Sequence, residues 1–244
     1  MGSSLLYFDE LNSTNKYAKE MVSGQSLHGT LILADWQKQG RGQYDRSWIA
    51  SADQNLTFSI ILEPNHSVAL TTLTLACALA VADVCSYLTR KECKLKWPND
   101  VFCEGKKIAG LLTESVFLGS QISRLVIGIG LNVNETAFGS GLKHATSLAK
   151  LTGSEFERER VLSQILTKIE YYYRLWETKD IALIKMINKH LIGYGKWVHL
   201  TVDDKPREGL FKFLGINETG SMMVLNKELE VDTFAHEQIR IHLD

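Results

Sequence analysis

Five short segments carry residue types that could do chemistry together. Gln37 is followed by Gly40-Arg41-Gly42-Gln43-Tyr44-Asp45-Arg46-Ser47-Trp48. Glycines on both sides of an arginine let backbone amides and a guanidinium approach an anion closely. The spacing is neither that of a P-loop nor that of a dinucleotide fingerprint, and an ordinary surface loop with two exposed arginines would read the same way. Lys96-Trp97-Pro98-Asn99-Asp100 must break a strand, because Pro98 fixes its own φ and drives Trp97 extended. Asn99 and Asp100 are then either plain turn formers, or they hold the Asp100 carboxylate beside a pocket, where it could bind magnesium or orient an incoming amine. In Lys106-Lys107-Ile108-Ala109-Gly110-Leu111-Leu112, after a hairpin turn at Glu104-Gly105, Lys107 would lean over an apolar pocket floor. Its ammonium could draw a carboxylate and a phosphate together: one charge pair at about 4 Å gains about 4 kcal/mol at an effective dielectric of about 20, before desolvation. Lys106 reads as a solvated edge-strand lysine. In Gly128-Ile129-Gly130-Leu131-Asn132-Val133-Asn134 the glycines alternate with apolar residues, so something packs on the glycine face. That is either another element of the fold or a ligand ring whose edge Asn132 hydrogen-bonds. Asn12-Ser13-Thr14-Asn15-Lys16-Tyr17 is either a helix N-cap or a set of hydroxyls for the polar head of a small ligand.

The elements that must position these segments are short. Strand-like runs occupy Thr30–Ala34, Leu56–Leu62, Lys94–Trp97, Val101–Cys103, Lys107–Val116 and Arg124–Val133, with a helix over Ser67–Thr89. A second helix begins near Ser154, where Ser154 and Glu157 have capping-box spacing. Val161, Leu162, Ile165, Leu166, Ile169, Tyr172, Tyr173 and Trp176 then recur at helical period. A third helix covers Ile181–Leu191. This irregular mixture predicts an α+β domain with a mixed or antiparallel sheet and flanking helices. Beyond Gly193 come five short strands, Trp197–Val202, Arg207–Leu214, Met222–Leu225, Glu228–Asp232 and Glu237–His242, the pattern of a small β-barrel. The expected boundaries are residues 1–190 for the catalytic part and 191–244 for the barrel.

Composition narrows the partners. With 27 Lys+Arg against 28 Asp+Glu in 244 residues, the net charge is -1, which argues against a general nucleic-acid or anionic-membrane binder. The most apolar stretch, Val68 to Leu88, is interrupted by Thr71, Thr72, Thr74 and Asp83 and reads as a core helix rather than a membrane span. Residues 1–8 lack the basic and apolar regions of an export signal. Cys77, Cys85, Cys93 and Cys103 contain no CxxC pair, so neither structural zinc nor a disulfide scaffold fits, and a reducing cytoplasm is expected.

Taken together and in this order, S-T-N near the start, Q-x-x-G-R-G-x(5)-W, K-W-P-N-D, K-I-A-G and G-I-G-L-N resemble the biotin protein ligases. The resemblance implies a class II synthetase-like catalytic domain with a C-terminal SH3-like barrel. It also implies an activity in two steps. Biotin and MgATP give biotinyl-5′-AMP and pyrophosphate; the biotinyl group then passes to one lysine of a biotin carboxyl carrier domain, expected to be that of acetyl-CoA carboxylase. Carried over by motif, Ser13, Thr14 and Gln37 would hydrogen-bond the ureido group of biotin, with Asn15 and Gly40 beside them and Gly110 and Leu112 as the floor. Lys107 would bridge the biotin carboxylate and the α-phosphate, and Arg41 and Arg46 would serve the loop over the adenylate. Trp48 and the stem of Lys96 would stack on adenine, Asn132 would meet its edge, and Asp100 would prepare the acceptor amine.

Two departures qualify this assignment. Gln43 stands where the family loop often has a second arginine, and Asp45 adds an acid, which makes Arg46 the better phosphate contact. Bifunctional members carry a helix-turn-helix segment ahead of S-T-N, whereas twelve residues precede Ser13 here, so the expectation is a ligase without a DNA-reading domain. The alternatives are a lipoate or octanoate ligase, which the Trp48 loop and K-W-P-N-D disfavour, and a noncatalytic biotin-binding regulator, which Lys107 disfavours. The resemblance admits both a monomer and a homodimer joined edge to edge, with strand Arg124–Val133 or its neighbours as a possible edge.

Overall fold

The nearly continuous apolar runs Leu56–Leu62 and Leu125–Leu131 lie at the centre of the molecule, as expected of strands buried on both faces. A computed structural model describes the chain except residues 3, 23–24, 44–45, 65–68, 236–238 and 243–244. Tyr44 and Asp45 of the glycine-arginine loop, Ser67 and Val68 at the predicted start of the first long helix, and Glu237 and Gln238 of the last predicted strand lie outside the described residues.

In chain order the first part comprises β1 (Ser4–Leu11), α1 (Thr14–Glu20), β2 (Thr30–Gln37), β3 (Leu56–Leu62), α2 (Leu70–Thr89), β4 (Cys93–Lys96), β5 (Asp100–Cys103), β6 (Lys106–Leu118) and β7 (Gln121–Leu131). These strands form one seven-stranded sheet, ordered β1-β2-β3-β7-β6-β5-β4. β1 and β2 are parallel and the other neighbours antiparallel, so the sheet is mixed, as expected. β1 was not anticipated: it lies at an edge and is half solvated, so it lacks the apolar signal of the inner strands. Strand Arg124–Val133 is not an edge. As β7 it lies between β3 and β6, both also interior, and the edges of this sheet are β1 and β4. For the same reason Lys106 is not an edge-strand lysine; it is exposed because it sits at the β5–β6 hairpin, where Glu104 and Gly105 both take positive φ.

Three further helices follow: α3 (Leu148–Thr152), α4 (Arg158–Glu177) and α5 (Ile181–His190). α4 begins three residues later than the capping-box spacing suggests. Its N-cap is Glu157, which makes no side-chain cap bond, while the Ser154 amide is turned to the Thr152 hydroxyl at 3.2 Å. α2 is long and apolar enough to cross a membrane by length and composition, but 72% of its most apolar window is buried inside the protein. It packs with α4 and α5 against one face of the sheet and forms the main core. α1 covers part of the other face, where Ala18 closes on Ile32, Ile61 and Val126. The four cysteines are free and buried.

The remaining strands are β8 (Trp197–Val202), β9 (Lys205–Pro206), β10 (Phe211–Ile216), β11 (Met222–Leu225), β12 (Val231–Phe234) and β13 (Ile239–His242). They curl into an antiparallel half-barrel of SH3-like form, ordered β12-β11-β10-β8-β13 with β9 against β8. Two predicted strands are displaced: Arg207–Leu214 becomes Phe211–Ile216, and Glu228–Asp232 becomes Val231–Phe234. In each case polar residues at the start of the run are spent in a turn, and Leu229 takes positive φ.

Candidate active site

Directly paired residues in adjacent strands project from the same sheet face. On the face that carries α1, the register therefore lines up Lys96, Asp100, Gly110, Gly130 and Thr57 across β4, β5, β6, β7 and β3. The neighbouring row is Leu112, Gly128 and Ser59. Glycines at the middle of both rows leave the sheet without side-chain cover, and a cleft of about 640 Å³ opens above them. Of the fourteen residues expected at the site, thirteen line this cleft: Ser13, Thr14, Asn15, Gln37, Arg41, Arg46, Trp48, Lys96, Asp100, Lys107, Gly110, Leu112 and Asn132. Gly40 does not. Its role is steric, because a Cβ there would lie 2.4 Å from the Trp48 carbonyl oxygen.

One end of the cleft is lined by neutral groups. Ser13 caps α1, accepting from the Lys16 amide at 3.4 Å, so the N-cap reading of Asn12–Tyr17 holds. The cap turns Thr14 and Asn15 inward, where both are buried. The Thr14 amide and hydroxyl both donate to Gln37 Oε1, at 2.7 and 3.1 Å. The hydroxyl of Ser59, fully buried, lies 2.7 Å from Thr14 Oγ1 and 2.6 Å from Asn15 Oδ1. Asn15 Nδ2 in turn donates to the Leu112 carbonyl at 3.1 Å and to Glu114 Oε2 at 2.9 Å. A Cβ on Gly128 would fall 2.2 Å from Asn15 Oδ1, so this end requires glycine there.

The other end is charged. Lys107 Nζ lies 2.5 Å from Asp100 Oδ1. Gly110 is the floor beneath this pair, with the lysine Cε and Nζ both 3.0 Å from where its Cβ would be. The glycine-arginine loop folds over as a tight hairpin: Arg41 bridges Ser47, Gly42 N donates to Arg46 O at 2.7 Å, and Trp48 N donates to Gly40 O at 2.9 Å. That hairpin delivers the Trp48 indole onto Gly130, where a Cβ would lie 2.3 Å from the ring. The packing partner of the glycine face is therefore a side chain of the loop. Trp48 Nε1 is buried without a hydrogen-bond partner among the described residues. Lys107 Nζ stands 5.9 Å from the indole centroid, and the Lys96 ammonium lies over Phe102 at 5.2 Å. Asn132 uses its Nδ2 on the Thr146 carbonyl at 2.9 Å.

Several functional positions gave no sequence signal strong enough to single them out. Ser59 stands in an apolar run, which was the available hint. Glu114 joins the two ends, taking Lys19 Nζ at 2.5 Å and Arg41 Nη1 at 3.7 Å. Burial would raise its carboxyl, but the hydrogen bonds from Lys19 and Asn15 and the charges of Lys19 and Arg41 hold it below the ordinary value of 4.5. β13 forms part of the cleft wall through Ile239, Arg240, Ile241 and His242. Among the described residues no group of three or more His, Cys, Asp or Glu could hold a metal ion, and Asp100 is the only carboxylate among the described residues lining the cleft.

A neutral recognition end, a charged end and an SH3-like half-barrel on a mixed sheet describe a class of ligase seen before. The profile of the Biotin/lipoate A/B protein ligase family matches residues 7–132, and the chain belongs to that family. It is 34% identical over 235 residues to the "Bifunctional ligase/repressor BirA" of Bacillus subtilis (strain 168), covering 93% of this chain and 71% of that protein. It is 34% identical over 181 residues to the "Biotin--[acetyl-CoA-carboxylase] ligase" of Paracoccus denitrificans, covering 71% of this chain and 75% of that one. Among solved structures, the biotin protein ligase from Aquifex aeolicus in complex with biotin and ATP superposes with a TM-score of 0.83 at 29% identity, over 99% of this chain and 100% of that one.

Proposed function

We propose that this protein activates biotin with MgATP and transfers it to a lysine of a biotin carboxyl carrier domain, that of acetyl-CoA carboxylase being the acceptor the Paracoccus relative's name suggests. The reading rests most on the Lys107–Asp100 pair, which stands on bare glycine at the junction of a neutral pocket and the Trp48 face. Ser13, Thr14 and Gln37 supply neutral donors and acceptors for the uncharged ureido group, with Asn15 beside them, and Gly110 and Leu112 leave room for the rest of biotin. Lys107 draws the biotin carboxylate to the α-phosphate, against the repulsion between the two anions. A carboxylate oxygen attacks the α-phosphorus, a P–O bond forms, and the bond to the bridging oxygen breaks with loss of pyrophosphate. Arg41 and Arg46 carry positive charge to the phosphates, Trp48 stacks on adenine with Asn132 at its edge, and the loop shields the mixed anhydride from water. Magnesium brought in with the nucleotide would supply charge neutralisation for the leaving pyrophosphate, beside Arg41 and Arg46.

In the second step the acceptor amine attacks the acyl carbon, a C–N bond forms, AMP leaves and one proton is lost. An amine of pKa about 10.4 is only about 0.04% free base at pH 7, so Asp100 either takes that proton or orients the amine for attack. We place the catalytic part at residues 1–190 and the barrel at 191–244, in a cytoplasmic enzyme whose free cysteines suit a reducing compartment. Incubation with MgATP, a carrier domain and either biotin or lipoate tests this: biotin should appear on the carrier, and incorporation of lipoate alone would overturn it.

A further inference from the structure

We propose that the β10–β11 hairpin of the half-barrel is a clamp that positions the Lys96–Asp100 turn, acting through Trp97. This rests on the reading of that turn as part of the active site.

The hairpin is built to present backbone acceptors. Asn217 Oδ1 takes the Thr219 amide at 3.0 Å, the Ser221 amide at 3.0 Å and the Thr219 hydroxyl at 2.7 Å. Asn217 N donates to Ser221 O and Gly220 N to Asn217 O, each at 3.0 Å. With the Asn217, Thr219, Gly220 and Ser221 amides satisfied within it, the turn aims two carbonyls at the main sheet and its helices. The Gly220 carbonyl accepts from Trp97 Nε1 at 3.2 Å, and the Glu218 carbonyl accepts from the Thr72 hydroxyl at 3.1 Å. The joint is tight. Gly220 has φ +81°, and a Cβ there would lie 2.6 Å from Thr71 Cβ and 2.9 Å from the Thr72 amide.

Trp97 is the middle of a short lever. It lies one residue from Lys96 and three from Asp100, and is 8% exposed. On its other side the turn is fixed to β6, where Asn99 Nδ2 donates to Leu111 O at 2.6 Å and Leu111 N donates to Asn99 O at 2.9 Å. The Asp100 carboxylate thus stands between two anchors, one in the main sheet and one in the half-barrel. The neutral end, by contrast, is held by α1, β2, β3 and β6 alone, with no bond to the hairpin among the described residues. Loosening the hairpin should disturb the step that needs Asp100 and leave biotin recognition in place, because small displacements of a reacting group cost large factors in rate.

The test uses the full chain with Trp97→Phe, which keeps an aromatic ring and removes the N–H, and separately Thr72→Val, which removes only the second strut. Transfer from preformed biotinyl-AMP to the carrier domain should slow about tenfold in Trp97→Phe and less in Thr72→Val. The dissociation constant for biotin should change less than about twofold. The double variant should lose less than the product of the single effects, since both act through one hairpin. Transfer at the unchanged rate would overturn the proposal. So would a parallel loss of biotin affinity and transfer that tracks the melting temperature, since that is the signature of a merely structural contact. A wild-type chain that biotinylates no carrier would instead refute the functional reading, which the wild-type control separates from failure of the clamp.

Discussion

The two ends of the cleft lie on one stretch of sheet, yet they are built on opposite principles. At the neutral end the side chains engage one another: Thr14 with Gln37 and Ser59, Asn15 with Ser59, Leu112 and Glu114. Such a network holds its shape and discriminates by geometry, at little cost in reorganisation. At the charged end, Lys107 is held by a single carboxylate and the Trp48 N–H by nothing described. Groups held this way are disposed to change partners when substrates arrive. The same strand serves both ends two residues apart: Gly128 lies beneath Asn15 and Gly130 beneath Trp48. The contrast predicts that changes at the charged end impair the use of ATP and spare biotin affinity, whereas changes at the neutral end weaken biotin binding.

The largest effect is expected at Lys107. Lys107→Ala should slow adenylate formation by about a hundredfold to a thousandfold, the range for removing one preorganised electrostatic contact, while biotin affinity changes far less. Pyrophosphate exchange measures the first and calorimetry the second; an unchanged exchange rate would remove the electrostatic role. Next come the two glycines, which set one end against the other. Gly130→Ala drives a methyl into the indole and should raise the KM for ATP about tenfold, leaving that for biotin nearly fixed. Gly128→Ala drives one into the Asn15 amide and should do the reverse, each displacement being worth about 1.4 kcal/mol per tenfold change. If both variants raise the same KM, the division of the cleft is wrong. A smaller effect is expected for Thr14→Val. It removes one neutral hydroxyl from the network, worth about 1 kcal/mol, so biotin should bind about fivefold more weakly with turnover at saturation unchanged.

The charged end was the more legible of the two in the sequence. Arg41 sits between two glycines, and Lys107 and Asp100 lie two residues from Gly105 and Pro98, so the turns and close approaches there are local events that spacing reveals. Ser59 and Glu114 are reached only through strand register, which no local pattern encodes, so these two members of the neutral end stayed hidden. The same holds for larger elements. β3 and β7 announce themselves by buried apolar runs, whereas β1 is an edge and β10 and β12 begin late because turn residues took the first positions of their runs. The start of α4 misled for a physical reason as well. A Ser-x-x-Glu spacing offers a cap, but Phe156 is tied to Asn134 by reciprocal bonds of 2.9 Å between side-chain amide and backbone, and the chain enters the helix only after it. Nothing in the sequence placed β13 against the cleft, since that depends on how the half-barrel docks.

Glu114 gives the comparison its subtlest test, because it is the one charge that belongs to the neutral end and also reaches Arg41 of the loop. Its carboxyl is half-buried, which alone would raise its pKa, but Lys19, Asn15 and Arg41 more than reverse this and hold it below 4.5. The native state therefore favours the ionised form more than the unfolded chain does. Its contribution to stability is complete above about pH 4.5 and is lost as the pH falls through the lower native value. Glu114→Gln retains an acceptor for Asn15 and loses the charge. Urea midpoints of the two proteins should differ at pH 6, with the variant less stable, and the gap should close as the pH falls below about 4.5. A gap that stays constant across that range would mean that the carboxylate contributes only its shape and hydrogen bonds. The neutral end would then be neutral by composition rather than by compensation between Glu114, Lys19 and Arg41.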